Sequence, residues 1–159
     1  MRLTIAAIGR LKDGAERTLV DRYVERLKSG KSIGLGPVRE IEFTESRLPG
    51  AAERKSDEAE RLLRAVSAAD VRVALDETGR QISSEAFARW ISQRRDAGAR
   101  EAAFIIGGPD GQGPAILSAA QLVLSLGAMT LPHGLARAVL AEQLYRAVTI
   151  LSGHPYHRV

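Results

Sequence analysis

The sequence predicts an α/β domain with a mostly parallel sheet covered by helices on both faces. Three observations lead there. Five short, strand-like apolar runs alternate with five stretches whose apolar residues recur at helical spacing. No shift in composition divides the 159 residues. No internal repeat appears either, so the pattern is one β-α alternation within a single domain, residues 1–159.

Residues 3–8 form an apolar run ended by Gly9, which reads as a buried first strand. Over residues 15–28, Leu19, Val20, Tyr23, Val24 and Leu27 make the inner stripe of a surface helix that Ser29-Gly30 stops. Residues 31–37 hold glycines and a proline and form a loop. Residues 38–43 set Val38, Ile41 and Phe43 among charged residues, as in a strand with one exposed face at the sheet edge. A loop at 46–52 precedes a helix over 53–69, with Ala59, Leu62, Leu63 and Val66 facing inward.

Residues 71–75 are a compact third strand, and Asp76-Glu77-Thr78-Gly79 turns the chain. Ser83 or Ser84 can cap the next helix, whose stripe is Phe87, Trp90 and Ile91. That periodicity makes Trp90 a core or interface residue rather than a base-stacking platform. A fourth strand at 102–106 leads into Gly107-Gly108-Pro109-Asp110-Gly111. An Ala-rich helix at 114–122 and a short strand at 122–126 follow. Pro132 occupies a first-turn position of the last helix, which runs to about Leu151 with Leu135, Val139, Leu140, Leu144, Val148 and Leu151 as its inner stripe.

An apolar fraction of 45% and a charged fraction of 26% are ordinary for a soluble globular protein. No cysteine is present, which excludes a disulfide framework, a thiolate nucleophile and Cys-ligated zinc. The opening apolar run is too short for a signal segment, and no window approaches the roughly 20 apolar residues of a membrane span. The expectation is a soluble, unexported, cytoplasmic protein with no membrane association. A net charge of +4 permits an anionic partner such as nucleic acid without demanding one.

Ligands of an open parallel sheet bind beyond the carboxyl ends of its strands. Three such ends carry unusual residues: Leu75 before Asp76-Glu77, the Gly107-Gly108 turn, and Gly127-Ala128-Met129-Thr130. A Gly-Gly turn lets a ligand approach the backbone closely, although a tight strand-to-helix turn needs the same residues. Neither a G-x-G-x-x-G fingerprint nor a G-x-x-x-x-G-K-[ST] loop is present, so the usual dinucleotide or triphosphate cradle is not supported. Ser118, Ser125 and Ser152 do not sit in a G-x-S-x-G elbow. His154 and His157 do not make a convincing metal pair, and no metal is expected.

All three histidines fall in the last segment, and the end of the chain brings His154, Pro155, Tyr156, His157 and Arg158 together. Tyr156 can stack on a base, the histidines can donate or accept near neutral pH, and Arg158 can grip phosphate. The alternative is a tail docked on the body or on a second subunit.

The segments FIIGGPDG, SLGAMTLPHGLARAVLAEQLYRA and GHPYHRV resemble those of the ribosomal large-subunit (23S) pseudouridine N3-methyltransferases, short members of the SPOUT class. The resemblance covers the chain end to end and is most specific in the C-terminal motifs. It implies a C-terminal part threaded as a trefoil knot, S-adenosylmethionine bound in that knot, and a homodimer. It implies methylation of N3 of a pseudouridine in large-subunit rRNA, with recognition of the assembled ribosome. Carried over residue by residue, the cofactor contacts fall on Leu75, on Gly108 with Gly107 beside it, and on Gly127, Ala128, Met129, Thr130, Leu131 and Pro132. Where many relatives carry Ser-Leu-Ser, this chain has Ser125-Leu126-Gly127, which keeps a backbone contact and loses a hydroxyl.

The acceptor nitrogen of such a ring is an imide N–H that must lose its proton. His133, at the start of the last helix, and His154 in the tail are both candidates for the base. Tyr156 and Arg158 are expected to position the RNA. Two other readings share these residues: a ribosome-binding protein without cofactor affinity, and a related methyltransferase acting on another RNA such as tRNA.

Overall fold

The computed structural model describes residues 1–157. Five parallel strands, β1 (Arg2–Ile8), β2 (Val38–Phe43), β3 (Val71–Arg80), β4 (Glu101–Ile106) and β5 (Leu122–Leu124), form one sheet in the order β2-β1-β4-β3-β5. The helices α1 (Ala15–Arg26), α2 (Ala51–Ala65), α3 (Ser84–Asp96), α4 (Pro114–Ala119) and α5 (His133–Leu151) alternate with them. Helices α1, α3 and α5 pack together over one face of the sheet, and α2 and α4 over the other. The expected α/β architecture is the one observed, with β2 at an edge.

The pleat explains the two faces. Leu3, Ile5, Val73, Leu75, Phe104 and Ile106 point toward α5 and its neighbours. Ala6, Ala74 and Ala103 point the other way, with Ile8 and Ile105, toward α2 and α4. Central strands β1 and β4 are buried on both faces, which is why they read as continuous apolar runs rather than alternating ones. Phe104 meets Phe87 of α3 edge to face, with ring centroids 6.1 Å apart. Truncating a fully buried aromatic of this kind to Ala costs about 3–5 kcal/mol.

Three elements differ from the sequence expectation. The chain does not turn at residues 76–79. Instead β3 continues to Arg80, which pairs with Leu124 after a register shift. Gly79 makes this possible, because a Cβ there would lie 2.8 Å from the backbone of Val123 and Leu124. Past Arg26 the first helix tightens into a 3₁₀ segment, Leu27–Ile33, instead of ending in a loop. In α5, Leu135 and Val139 are not in the core: they are 40% and 37% exposed. The inward face carries Leu140, Ala141, Leu144, Ala147 and Val148, and apolar residues all round the helix made its inner stripe ambiguous.

Candidate active site

The carboxyl ends of β4 and β5 lie beside the middle of β3 and open into a cavity of about 900 Å³. Its walls come from three backbone segments. The first is the middle of β3, where its pairing with β4 stops, with Leu75, Asp76, Glu77 and Thr78; Asp76 accepts hydrogen bonds from the backbone N–H (3.0 Å) and hydroxyl (2.6 Å) of Thr78. The second is the glycine turn at 107–111, closed by a Gly111 N–H to Gly108 carbonyl bond of 2.9 Å. The third is the stretch from Leu124 to His133. Ser125 organises its start, since its hydroxyl donates to the Gly127 carbonyl at 2.9 Å and accepts from the Gly127 N–H at 3.3 Å.

Leu75, Gly107, Gly108, Gly127, Met129, Thr130, Leu131, Pro132 and His133 therefore line one cavity. Ala128 is exposed and is not part of the lining. Pro132 sits one residue earlier than expected, at the cap of α5. Gly108 is required for a reason other than side-chain intrusion into the cavity. A Cβ there would point into the body, 2.7 Å from Glu58 Oε2 and 3.0 Å from Ile8 Cγ2. Glu58 is only 4% exposed and accepts from the Ser46 N–H at 2.8 Å, so it has little freedom to yield.

The tail lies elsewhere. After α5 a 3₁₀ turn, Pro155–His157, lays Tyr156 on the body of its own chain. The Tyr156 ring meets Tyr145 edge-on at 4.7 Å, its hydroxyl donates to Glu142 at 3.3 Å, and Tyr23 Oη lies 3.4 Å away. Arg146, paired with Glu142 at 2.7 Å, covers the same ring at 5.3 Å. Burial first, then the contacts with Tyr23 and Glu142, push the Tyr156 hydroxyl above its usual range and keep it a neutral donor. His154 is exposed, and its Nδ1 accepts from the Tyr156 N–H at 3.2 Å. Neither His154 nor Tyr156 lines the cavity. Arg158 and the His157 side chain lie outside the described residues.

Comparison with known proteins adds the family. The family model described as "Predicted SPOUT methyltransferase" matches residues 1–157. The chain belongs to the SPOUT methyltransferase family. It is 52% identical to the "Ribosomal RNA large subunit methyltransferase H" of Xanthobacter autotrophicus over 99% of both chains. It is 50% identical to the protein of that name from Rhizobium etli over the whole of both chains. Two solved structures are similar in fold. A probable methyltransferase from Bordetella pertussis Tohama I is 16% identical, with a TM-score of 0.54 over 92% of this chain and 96% of that one. A probable methylase family protein from Haemophilus influenzae Rd KW20 is 13% identical, with a TM-score of 0.55 over 99% of this chain and 70% of that one.

Gln112 and Lys55 are among the lining residues of this SPOUT cavity that escaped the sequence reading. Gln112 is buried, and its Nε2 donates both to the Leu75 carbonyl (3.1 Å) and to the Ile105 carbonyl (2.9 Å), tying the ends of β3 and β4 together. Both amide protons are thus consumed by carbonyls, which fixes the amide orientation. Nothing in a single Gln within a glycine-rich stretch announces that role. Lys55, on α2, reaches the turn at 107–111 from outside the sheet. The later stripe of Ala59, Leu62, Leu63 and Val66 marks its helix, and only the fold brings Lys55 to the cavity. Asp110 is the better-signalled member of the wall: Arg54 grips it with Nε at 2.7 Å and Nη2 at 3.1 Å, holding its carboxyl below the usual range.

Proposed function

We propose that this chain, as one domain over residues 1–159, methylates N3 of a pseudouridine in large-subunit (23S) ribosomal RNA using S-adenosylmethionine. The observation that carries the reading is the shared cavity of Leu75, the Gly107-Gly108 turn and residues 127–132, in a SPOUT family member about half identical to named large-subunit rRNA methyltransferases.

The residues present fit that cofactor. Leu75, Ile106, Leu117 and Leu124 supply apolar walls for an adenine ring, while glycine turns leave backbone groups accessible to polar atoms. Asp76 and Glu77 bring negative charge to the mouth, complementary to a cationic ligand. When bound, the cofactor supplies an electrophilic methyl group on a sulfonium. The protein must then bind, orient, exclude water and take the imide proton. His133, at the rim and on the first turn of α5, is placed to hold that proton; His154 is the alternative.

A second copy completes the site. Leu135 and Val139 form an exposed apolar stripe on α5, beside Leu131 and Met129 (82% exposed) of the preceding loop, and such a patch marks an interface. Tyr156 packs against Tyr145 and Glu142 of its own α5, and neither it nor His154 lines its own chain's cavity. The reading is a homodimer in which His154, Tyr156 and Arg158 of one subunit face the RNA at the other's cofactor. Family membership supports a C-terminal trefoil knot around that cofactor. The small size supports recognition of the assembled ribosome, in the cytoplasm, rather than of a short RNA.

Mass spectrometry of rRNA from a strain lacking this gene tests the assignment. The expected result is loss of one methyl group from a large-subunit pseudouridine, restored by the wild-type chain. Unchanged 23S rRNA with a methyl lost from tRNA would overturn it.

A further inference from the structure

The carboxyl end of β1 is held by contacts that cofactor binding alone does not require. Gly9 follows the strand with φ +89°, a conformation that favours glycine. Its N–H donates to the Phe43 carbonyl at 2.8 Å, and its carbonyl accepts from Arg137 Nη2 at 2.6 Å. Its α-carbon is capped by the imidazole of His133: a Cβ there would stand 2.8 Å from Nε2 and 2.9 Å from Cδ2. His133 and Arg137 are one turn apart on α5, so both project from the same helix face. One side chain grips the glycine carbonyl and the other lies over its α-carbon.

Arg137 is fully buried, at 0% exposure, and is the largest such side chain among the described residues. A guanidinium there is costly unless paired and hydrogen-bonded. The pairing is with Glu42, which accepts from Arg137 Nη1 and also from the Leu11 N–H at 3.1 Å. Arg17 braces the same carboxylate at 3.7 Å while bonding Glu40 at 2.9 Å. This network joins α1, β2, the residues after β1 and α5 at a single point. Because a buried ion pair often adds little net stability over an apolar replacement, the network is better explained by the geometry it enforces.

We infer that Gly9 and Arg137 form a seat that fixes the His133 imidazole at the rim of the cavity, and so act as positioning residues through His133. The inference rests on the methyl-transfer reading above for its effect on rate. The ring cannot move toward β1, because backbone already occupies that side. A methyl group on Gly9 must push it away, and loss of the Arg137 fork must release the residues it rests on.

The experiment combines ring NMR with a double-mutant cycle. In the wild-type chain a nuclear Overhauser contact is expected between the Gly9 α-protons and the His133 ring. Its absence overturns the seat without any variant. Gly9→Ala should shift the His133 ring resonances, and it should lower kcat on ribosomal particles by about tenfold to a hundredfold. Cofactor Kd and substrate KM should stay within about twofold, because the variant displaces one imidazole at the rim and leaves the other lining residues in place. In a His133→Ala background the same change should have no further effect on kcat. Equal losses in both backgrounds, or unmoved ring resonances, overturn the inference. If Gly9→Ala does not fold, Arg137→Lys, which keeps the charge and loses the fork, enters the same cycle with the same outcomes. The NMR contact needs no substrate, so a correct seat in a chain that methylates nothing would overturn only the reading of the reaction.

Discussion

The two ends of α5 solve different problems. At its start, His133 and Pro132 border a cavity built mostly from backbone: glycine turns, strand ends and a loop ordered by Ser125. At its end, Tyr156, Tyr145, Tyr23, Glu142 and Arg146 form a cluster held by side chains alone. The first end tolerates few Cβ atoms and suits a ligand that is recognised through main-chain groups. The second is an anchor, which holds Tyr156 on the body of its own chain. His154 and Tyr156 do not line the cavity at the first end, and the proposed homodimer is what would bring one chain's tail to the other's cavity.

Changes at the cavity should have the largest effect. Gly108→Val places atoms against Glu58 and Ile8, and the turn must shift to make room. Overpacking of this type costs about 1–3 kcal/mol of stability. Cofactor affinity should fall at least about a hundredfold by calorimetric titration, since displacement of the backbone wall removes several contacts at once. Wild-type affinity would show that the turn is not the cofactor wall.

The next largest effect should come from separating the ends of two chains. Leu135→Asp combined with Val139→Asp puts two charges into the exposed stripe, and a buried unpaired charge is not tolerated at an interface core. Sedimentation should show a monomer. Activity on ribosomes should drop about a hundredfold or more, while cofactor affinity changes by no more than about fivefold. Full activity of a monomeric variant would mean that each chain carries its own complete site.

Periodicity carried the alternation of elements, the edge position of β2 and the three strand ends, because each depends on local pattern and on where parallel sheets bind ligands. What was not legible depends on tertiary approach. The continuation of β3 past Asp76 is imposed by pairing with β5 across Gly79, and no window of sequence contains both partners. Leu135 and Val139 look like core because an exposed apolar stripe and a buried one have the same spacing in sequence. Gln112 and Lys55 reach the cavity only after β3, β4 and α2 are assembled. The buried pair of Arg137 with Glu42 spans 95 positions and reads in sequence as two ordinary surface charges.

A smaller loss is expected at the tail, and it divides anchoring from contact. Tyr156→Phe removes the hydroxyl bonds to Glu142 and Tyr23 and leaves the ring packed on Tyr145. A partly exposed hydrogen bond contributes about 0.5–1.5 kcal/mol, so KM for ribosomes should rise by less than about tenfold with kcat nearly unchanged. Arg158→Ala should weaken activity on ribosomes by more, about tenfold to a hundredfold, if its guanidinium meets phosphate, and should leave cofactor Kd alone. Normal methylation by Arg158→Ala would make the whole tail structural.

The smallest effect belongs to the outer wall of the glycine turn. The Arg54 fork, first through its hydrogen bonds and then through its charge, holds the Asp110 carboxyl below the ordinary value near 4. A carboxyl depressed in the folded state contributes stability that is fully present above its unfolded value and lost as the pH falls through the lower folded one. Arg54→Ala should therefore return Asp110 to the ordinary carboxylate range in a carbon-13 NMR titration, and acid unfolding should begin at a higher pH than in the wild type. At neutral pH the change should be slight, with cofactor affinity altered by less than about threefold, because the pair is only part-buried and the turn is already closed by its own backbone bond between Gly111 and Gly108. A large loss of affinity in Arg54→Ala would move the cofactor wall outward to include Asp110. The boundary between the backbone-built end of α5 and its charged surroundings would then have to be redrawn.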